Sequence, residues 1–248
     1  FRRVLFRSVE ETLRIIDELK DDALAFAVVK LTSIANRELL AKLDAAQALS
    51  QQDQESFTRV KARLHSICEH GLRNRVRIQI DAEETWIQKT IDHLCEGMMQ
   101  KYNKKHAQIY TTLQMYRKDR IEYLQELHSM AKQKGIKLGV KIVRGAYLEQ
   151  ENERAQQLNI PSPIHDSKQN SDISYNEALQ FCIQRSDIFS IYVATHNHDS
   201  IGTMMDMMDT FGIEPGDSRV IFAQLFGMGD NLTFNLASGG YNVAKFIP

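Results

Sequence analysis

Long hydrophobic runs, paired cysteines and an excess of charge of one sign are all missing from this 248-residue sequence. No apolar run approaches the roughly 20 residues that a membrane-spanning helix needs, and no segment has the layout of a signal peptide. The three cysteines are odd in number, far apart and without a Cys-x-x-Cys pair, which supports neither a disulfide framework nor a zinc cluster and favours a reducing compartment. The 31 basic residues nearly balance the 32 acidic ones, so charge gives no reason to expect nucleic acid as a partner. A small molecule is the favoured partner.

The length is typical of one β/α barrel, since such barrels usually need about 250 residues. A hydrophobic content of 43% is enough for a substantial core, so we expect a single domain. Residues 1–8 resemble the translation of a short-read sequencing adapter, and we treat them as a non-native segment. The domain is therefore expected to comprise residues 9–248, with the natural protein beginning upstream of Val9.

Apolar strand-like segments alternate with stretches of helical periodicity, which is typical of successive βα units and a parallel sheet. Seven strands are predicted, at 25–31, 76–81, 108–116, 138–145, 189–195, 219–225 and 241–247. Helices are predicted at about 9–20, 51–70, 84–102, 117–134, 174–186 and 199–211. A polar, proline-bearing loop at 159–172 is long enough to be functional.

Polar residues end most of the predicted strands, and barrels of this class carry their chemistry at the carboxyl ends of their strands. These residues are Lys30, Thr32, Asp81, Glu83, Gln114, Tyr116, Lys141, Arg144, Thr195, His196 and Gln224. Because strand ends in register share one face of a barrel, we expect Lys30, Asp81, Gln114, Lys141 and His196 to converge on one mouth.

The segment 141–155 (KIVRGAYLEQENERA) resembles the signature of proline dehydrogenases. Further blocks that resemble the family follow the expected order along nearly the whole chain, at 27–35, 80–86, 113–119, 171–179, 193–200, 222–230 and 241–248. One block alone would be weak, whereas seven in order are specific. The style is that of the single-function enzymes.

The resemblance implies an FAD-binding (β/α)8 barrel of the TIM type that oxidises L-proline to Δ1-pyrroline-5-carboxylate and passes the electrons to a membrane quinone. It implies a cytoplasmic protein, peripheral at the inner membrane and mitochondrial in a eukaryote. By the family pattern, a first strand and a final helix bearing an arginine pair are missing. We therefore expect this chain to turn over proline poorly or not at all.

Four residues are assigned by the resemblance to the substrate side. Lys30 should meet the proline carboxylate, Asp81 should brace Lys30 or a substrate group, and Tyr147 and Phe246 should shape the pocket. Phe246 stands where the family pattern leads us to expect a tyrosine. The alternatives are a solvated lysine at Lys30 and a helix N-cap at Asp81.

Flavin contacts are implied for Gln114, Lys141 and His196, and a cation such as Lys141 favours the electron-rich reduced ring. Many family members carry arginine where Lys141 stands. Lysine supplies a point charge and lacks the planar guanidinium with which arginine forms two parallel hydrogen bonds. For His196 two alternatives stay open, a structural histidine and a metal pair with His198. We favour no metal, because no further histidines end neighbouring strands.

The remaining cofactor contacts implied by the resemblance are Arg144, Gly145, Ala146, Lys168, Ser171, Asp172, Thr195, Asn197 and Gln224. Arg144 could instead form an ion pair with Glu149 or Glu151, Ser171 or Asp172 could cap a helix, and Gln224 could serve a turn. Two rival functions are a methylenetetrahydrofolate reductase-like FAD barrel and a non-catalytic flavin-binding fragment.

Overall fold

The computed structural model describes residues 2–20 and 25–247, and of residues 2–6 it describes the backbone alone. Pro248, which ends the last family-like block, lies outside the described residues. The elements in chain order are α1 (Arg2–Glu18), β1 (Phe26–Val29), α2 (Leu31–Ile34), α3 (Arg37–Asp44), α4 (Gln51–Asn74), β2 (Arg77–Ile80), α5 (Thr85–Tyr102), β3 (Ile109–Gln114), α6 (Arg120–Lys134), β4 (Leu138–Val143), α7 (Leu148–Leu158), α8 (Lys168–Ile183), β5 (Phe189–Ala194), α9 (His198–Thr210), β6 (Val220–Leu225), α10 (Asp230–Ser238) and β7 (Val243–Phe246).

The described strands form one seven-stranded sheet in the order β1 to β7, and every recorded pair of neighbours is parallel. Parallel neighbours need a crossover between them, which the intervening helices supply. All six residues of β3 are buried, as expected for strands covered on both faces. The prediction of seven parallel strands joined by helices is confirmed.

The chain divides into two compact units, residues 1–111 and 112–248. In the first unit, α4 begins at a capping box in which Ser50 accepts a hydrogen bond from the Asp53 backbone N–H at 3.1 Å. The buried residues of α4 recur at helical spacing and form one apolar stripe. That stripe includes Gly71, where a Cβ atom would lie 2.6 Å from the side chain of Ile78 on β2, so the helix packs directly on the strand.

Two helix starts differ from the sequence-based predictions. Helix α1 runs from Arg2, so helical backbone extends through most of residues 1–8. Helix α8 begins at Lys168 and not at 174, and its N-cap is Ser167, whose hydroxyl accepts from the Asn170 backbone N–H at 3.1 Å. The predictions that Ser171 or Asp172 caps this helix are therefore wrong, and the loop from 159 ends at Ser167.

The polar start of α8 concealed the helix in the sequence. Lys168 and Asp172, one turn apart, form an ion pair of 2.6 Å on the surface of that first turn. Polar residues that looked like a continuing loop are thus the solvent-facing side of a helix.

Candidate functional site

The carboxyl ends of the strands in the second unit bring most of the predicted site residues to one edge. Gln114 ends β3, Lys141 lies in β4, and Phe246 ends β7. Thr195, directly after β5, donates its backbone N–H to the Ala223 carbonyl of β6 at 3.2 Å. Neighbouring strand ends are therefore in register along this edge.

Lys141 and Phe246 meet across the face of the sheet. The Lys141 Nζ lies 3.8 Å from the centre of the Phe246 ring, although β5 and β6 separate their strands in the sheet order. Lys141 is only 5% exposed. A cation over an aromatic face is attracted by the ring quadrupole, and more strongly when water is excluded. The contact holds a buried positive charge at a fixed place.

Gln114 and His196 carry buried polar atoms that find no hydrogen-bond partner among the described residues, Oε1 of Gln114 and Nδ1 of His196. The other ring nitrogen of His196, Nε2, accepts from the Leu225 backbone N–H at 3.4 Å. In a neutral imidazole the proton then sits on Nδ1, which becomes a free donor. Burial, and secondly the positive charge of Lys245, lower the pKa of His196 and favour that neutral form.

Arg144, at the end of β4, ties three parts of the second unit together. Its guanidinium donates to Asp172 at 2.6 Å, to the Thr195 hydroxyl at 2.8 Å and to the Ser200 hydroxyl at 2.9 Å. The same group lies 4.4 Å from the centre of the buried Tyr175 ring. Its ion-pair partner is Asp172, so the alternative of a pair with Glu149 or Glu151 is wrong.

Asp172 is the acidic partner of two cations at this edge. Burial opposes its ionisation, but hydrogen bonds from Lys168 and Arg144 outweigh that effect and hold its pKa below its usual range. The ion pair orients the Arg144 fork toward Thr195 and Ser200. The result is a rigid, charged rim beside β4 and β5.

Gly145 makes room for the aromatic ring of Tyr116, one of the residues that end the predicted strands. Its φ of +134° lies in the region that favours glycine, and a Cβ atom there would lie 2.5 Å from Cδ1 of Tyr116. The glycine thus allows Tyr116 to pack against it, and the cofactor contact predicted for Gly145 stays a prediction. Its neighbour Ala146 is exposed, and half-buried Tyr147 is the N-cap residue of α7.

Several predicted cofactor contacts have structural partners. Gln224 accepts from the Thr233 hydroxyl at 2.7 Å and donates to the Thr195 carbonyl at 3.4 Å, consistent with a role in the turn after β6. Asn197 caps α9 by accepting from the Ser200 backbone N–H at 2.9 Å. Buried Ser171 donates to the Ser167 carbonyl at 3.3 Å. These residues fix the frame around Arg144 and His196.

In the first unit, Lys30 and Asp81 follow neighbouring strands β1 and β2. The Asp81 backbone N–H donates to the Val29 carbonyl at 2.9 Å, which places the two strand ends side by side. Lys30 is exposed and Asp81 is 7% exposed. Helix α5 begins at Thr85 with Glu84 as its N-cap residue, so the alternative of Asp81 as the helix cap is wrong. The predicted convergence of these two residues with Gln114, Lys141 and His196 stays a prediction.

Sequence reasoning missed the residues that support the site without ending a strand. Examples are Ser200 and Thr233, which lie one helical turn or less into α9 and α10. A hydroxyl in the first turn after a barrel strand is the signal that could have found them.

Within the described part of the chain, no three His, Cys, Asp or Glu side chains are grouped to hold a metal ion. Among the same residues, no helix combines the length and apolar character required to cross a membrane.

Comparison with known proteins places this chain in a family. A family model described as proline dehydrogenase matches residues 6–248. The carbapenem antibiotics biosynthesis protein CarD of Pectobacterium carotovorum is 33% identical over 98% of this chain, and mitochondrial proline dehydrogenase 1 of Drosophila melanogaster is 33% identical over 79% of it. The chain spans 62% and 30% of the lengths of these two relatives.

The fold is similar to that of a solved protein. The crystal structure of proline utilization A from Bdellovibrio bacteriovorus, inactivated by N-propargylglycine, superposes with a TM-score of 0.86 at 18% identity. The match covers 100% of this chain and 26% of that one. The fold is therefore the α/β barrel type of that protein's matching region, as the sequence predicted.

Proposed function

The chain belongs to the proline dehydrogenase family, and from that premise we propose that the protein oxidises L-proline to Δ1-pyrroline-5-carboxylate with FAD as its cofactor. The observation that carries the proposal is the edge of the second unit where Lys141, Gln114 and His196 lie. Lys141, within β4, supplies a buried cation. Gln114 at the end of β3 and His196 two residues after β5 supply a buried acceptor and a buried donor that find no partner among the described residues. Such an arrangement suits a polar aromatic ring system that gains negative charge during reaction.

The residues present fit a flavin. Its ring edge offers both N–H donors and carbonyl acceptors, which match the Gln114 Oε1 acceptor and the His196 Nδ1–H donor. Buried polar atoms without partners cost free energy, so a ligand that satisfies them gains affinity. Bound FAD would accept the hydride that leaves the carbon next to the ring nitrogen, which no side chain can do, while the proton from that nitrogen would pass to solvent.

Lys141 is proposed to stabilise the negative charge that develops as the substrate is oxidised. A fixed ammonium in a site without water stabilises such charge far more than it would in solution. Phe246 holds that ammonium and closes one side of the pocket with an aromatic wall. The rim of Arg144 and Lys168, with Asp172 between them, is proposed to hold the phosphate and adenosine portion of the cofactor.

Lys30 is proposed to bind the carboxylate of proline, with Asp81 as its neighbour on the next strand. An exposed ammonium on a fixed strand end can form a charge-assisted hydrogen bond to that anion and so orient the ring. Tyr147 is proposed to contact the substrate.

A quinone is proposed as the final electron acceptor, and the protein is proposed to work at the surface of the membrane that holds the quinone. This is the mitochondrial inner membrane if the source is a eukaryote. The support is the likeness to mitochondrial proline dehydrogenases such as the Drosophila protein. The family match favours neither a folate reductase nor a non-catalytic flavin-binding protein.

The proposal is tested by product analysis. The flavin-loaded protein is incubated with L-proline and a quinone analogue, and mass spectrometry monitors the product, which is two hydrogens lighter than proline. We expect product that depends on proline, quinone and bound flavin. Oxidation of a nicotinamide cofactor without any reaction of proline would instead indicate the folate reductase type.

A further inference from the structure

Glu83 is a buried carboxylate that the assigned site roles do not use. It lies two residues beyond Asp81, between β2 and α5, and is 1% exposed. Its carboxylate accepts hydrogen bonds from the backbone N–H of Thr32 at 3.0 Å and from the Thr32 hydroxyl. Thr32 is separated from Lys30 by one residue, so these hydrogen bonds hold the turn that contains Lys30, the lysine proposed to bind the substrate.

The backbone N–H groups at the start of α2 need hydrogen-bond acceptors from outside the helix. Helix α2 has Lys30 at its N-cap position, and Lys30 makes no side-chain capping hydrogen bond. The first N–H groups of a helix lack partners within it and must be satisfied elsewhere. Glu83 satisfies one of them across a sequence separation of 51 residues. The cap is thus supplied from the loop after β2, and the lysine side chain remains available to bind another group.

Glu83 is itself held firmly. Its backbone N–H donates to Gln88 Oε1 at 2.7 Å, and Gln88 Nε2 donates in turn to Asp92 at 2.8 Å. Gln88 and Asp92 are both buried, at 1% and 4% exposure, on α5. A continuous hydrogen-bonded chain therefore connects the body of α5 to Thr32.

The backbone of Lys30 is also fixed from the other side. Its carbonyl accepts from the Ser33 backbone N–H at 3.0 Å and from the Ser33 hydroxyl at 2.6 Å. The side chain, by contrast, is exposed. An ammonium whose stem starts from a fixed backbone loses less entropy when it binds an anion, which is the advantage of preorganisation.

We infer that Glu83 is a positioning residue, which fixes the Thr32 turn so that Lys30 is presented to the carboxylate of the substrate. The inference rests on the proposed function, since it assumes that Lys30 binds a carboxylate. Glu83 is thereby expected to change substrate affinity only indirectly, by fixing the position of Lys30.

The test compares Glu83→Ala, Glu83→Gln and Thr32→Val in the flavin-loaded protein, each with and without Lys30→Ala. Readouts are kcat and KM for proline, the Kd of a proline analogue that keeps the carboxylate but cannot be oxidised, and thermal stability. Glu83→Ala should raise KM and Kd about tenfold, the effect of about one lost charge-assisted hydrogen bond, with kcat at saturating proline changed much less. Glu83→Gln should restore most of the affinity, because the amide oxygen still accepts from Thr32 N–H.

The double variant distinguishes positioning from a structural role. If Glu83 acts through Lys30, Glu83→Ala should add little to the loss already caused by Lys30→Ala. Fully additive losses of affinity, or normal affinity in Glu83→Ala, would overturn the inference. If the wild type still oxidises proline, the proposed function is not affected by that result. If wild type makes no product from proline, the proposed function fails and this role fails with it. Should Glu83→Ala not fold, Thr32→Val decides, since it removes only the hydroxyl contact and should weaken binding measurably.

Discussion

A lysine ammonium buried against an aromatic face, as Lys141 is against Phe246, keeps its charge where water is scarce. Such a contact stabilises the cation by up to about 2 kcal/mol when it is desolvated. The positive charge stabilises the transition state more than the bound substrate, because the transition state carries more negative charge. Lys141 should therefore affect the chemical step more than it affects binding.

Lys141→Ala should slow reduction of the flavin by proline about a hundredfold or more, while the Kd for a proline analogue changes only a few fold. Stopped-flow absorbance separates these two quantities. The matched control is Lys137→Ala, which removes a lysine just before the amino end of the same strand, where it contacts the Asp187 carbonyl. An effect confined to KM in Lys141→Ala would contradict the proposed role.

His196 should be neutral at pH 7, because burial and the charge of Lys245 both lower its pKa below the usual 6.5. A histidine with a lowered folded-state pKa binds fewer protons than it does in the unfolded chain, so its contribution to stability is lost as pH falls below 6.5. Lys245→Gln should raise the His196 pKa toward 6.5, which an NMR titration measures. Lys168→Gln serves as the control, since Lys168 does not shift the pKa of His196, and an unchanged midpoint in Lys245→Gln would argue against the electrostatic cause.

The positions of single residues relative to the strands could be predicted from the sequence, as for Gln114, which ends β3, and Lys30, which directly follows β1. Their partners could not. The contacts between Arg144 and Ser200, or between Thr32 and Glu83, join residues more than 50 positions apart, and no local pattern encodes them. The ion partner of Arg144 was mistaken because Glu149 and Glu151 are near in sequence, whereas Asp172 is near in space.

At the scale of elements, the seven strands were predictable because parallel strands buried on both faces give continuous apolar runs. Helix starts were harder. Polar residues at the start of α8 resemble a loop, and only the Ser167 cap shows where the helix begins. In the turn between β4 and α7, the packing of Gly145 against the Tyr116 ring from the loop after β3 could not be predicted, because the two residues are far apart in sequence.

Gly145→Ala should destabilise the fold by about 3 kcal/mol, since it combines an unfavourable positive φ with a clash against Tyr116. Urea unfolding followed by circular dichroism measures the change. Gly202→Ala is the control in the same unit, because apart from the neighbouring backbone of α9 no atom lies within 4 Å of its added Cβ. That change should be stabilising by about 0.5 to 1 kcal/mol. Equal stabilities of the two variants would show that the Tyr116 contact does not constrain the turn.

At the scale of the whole molecule, family membership rests on the entire chain. The family model matches residues 6–248, and the likeness in fold extends over 100% of the chain. The sequence blocks predicted this family, because they recur in order between Ala27 and the end of β7. Neither composition nor the near-zero net charge could have named the substrate, since the relevant charges are few and locally placed.

The most direct test of the proposed function is anaerobic mixing of the purified, flavin-loaded protein with L-proline, followed by absorbance in the visible flavin bands. We predict loss of those bands with L-proline, even if reduction is slow, and no loss with L-alanine, which has the carboxylate but lacks the ring amine. A flavin spectrum that L-proline leaves unchanged would contradict the account.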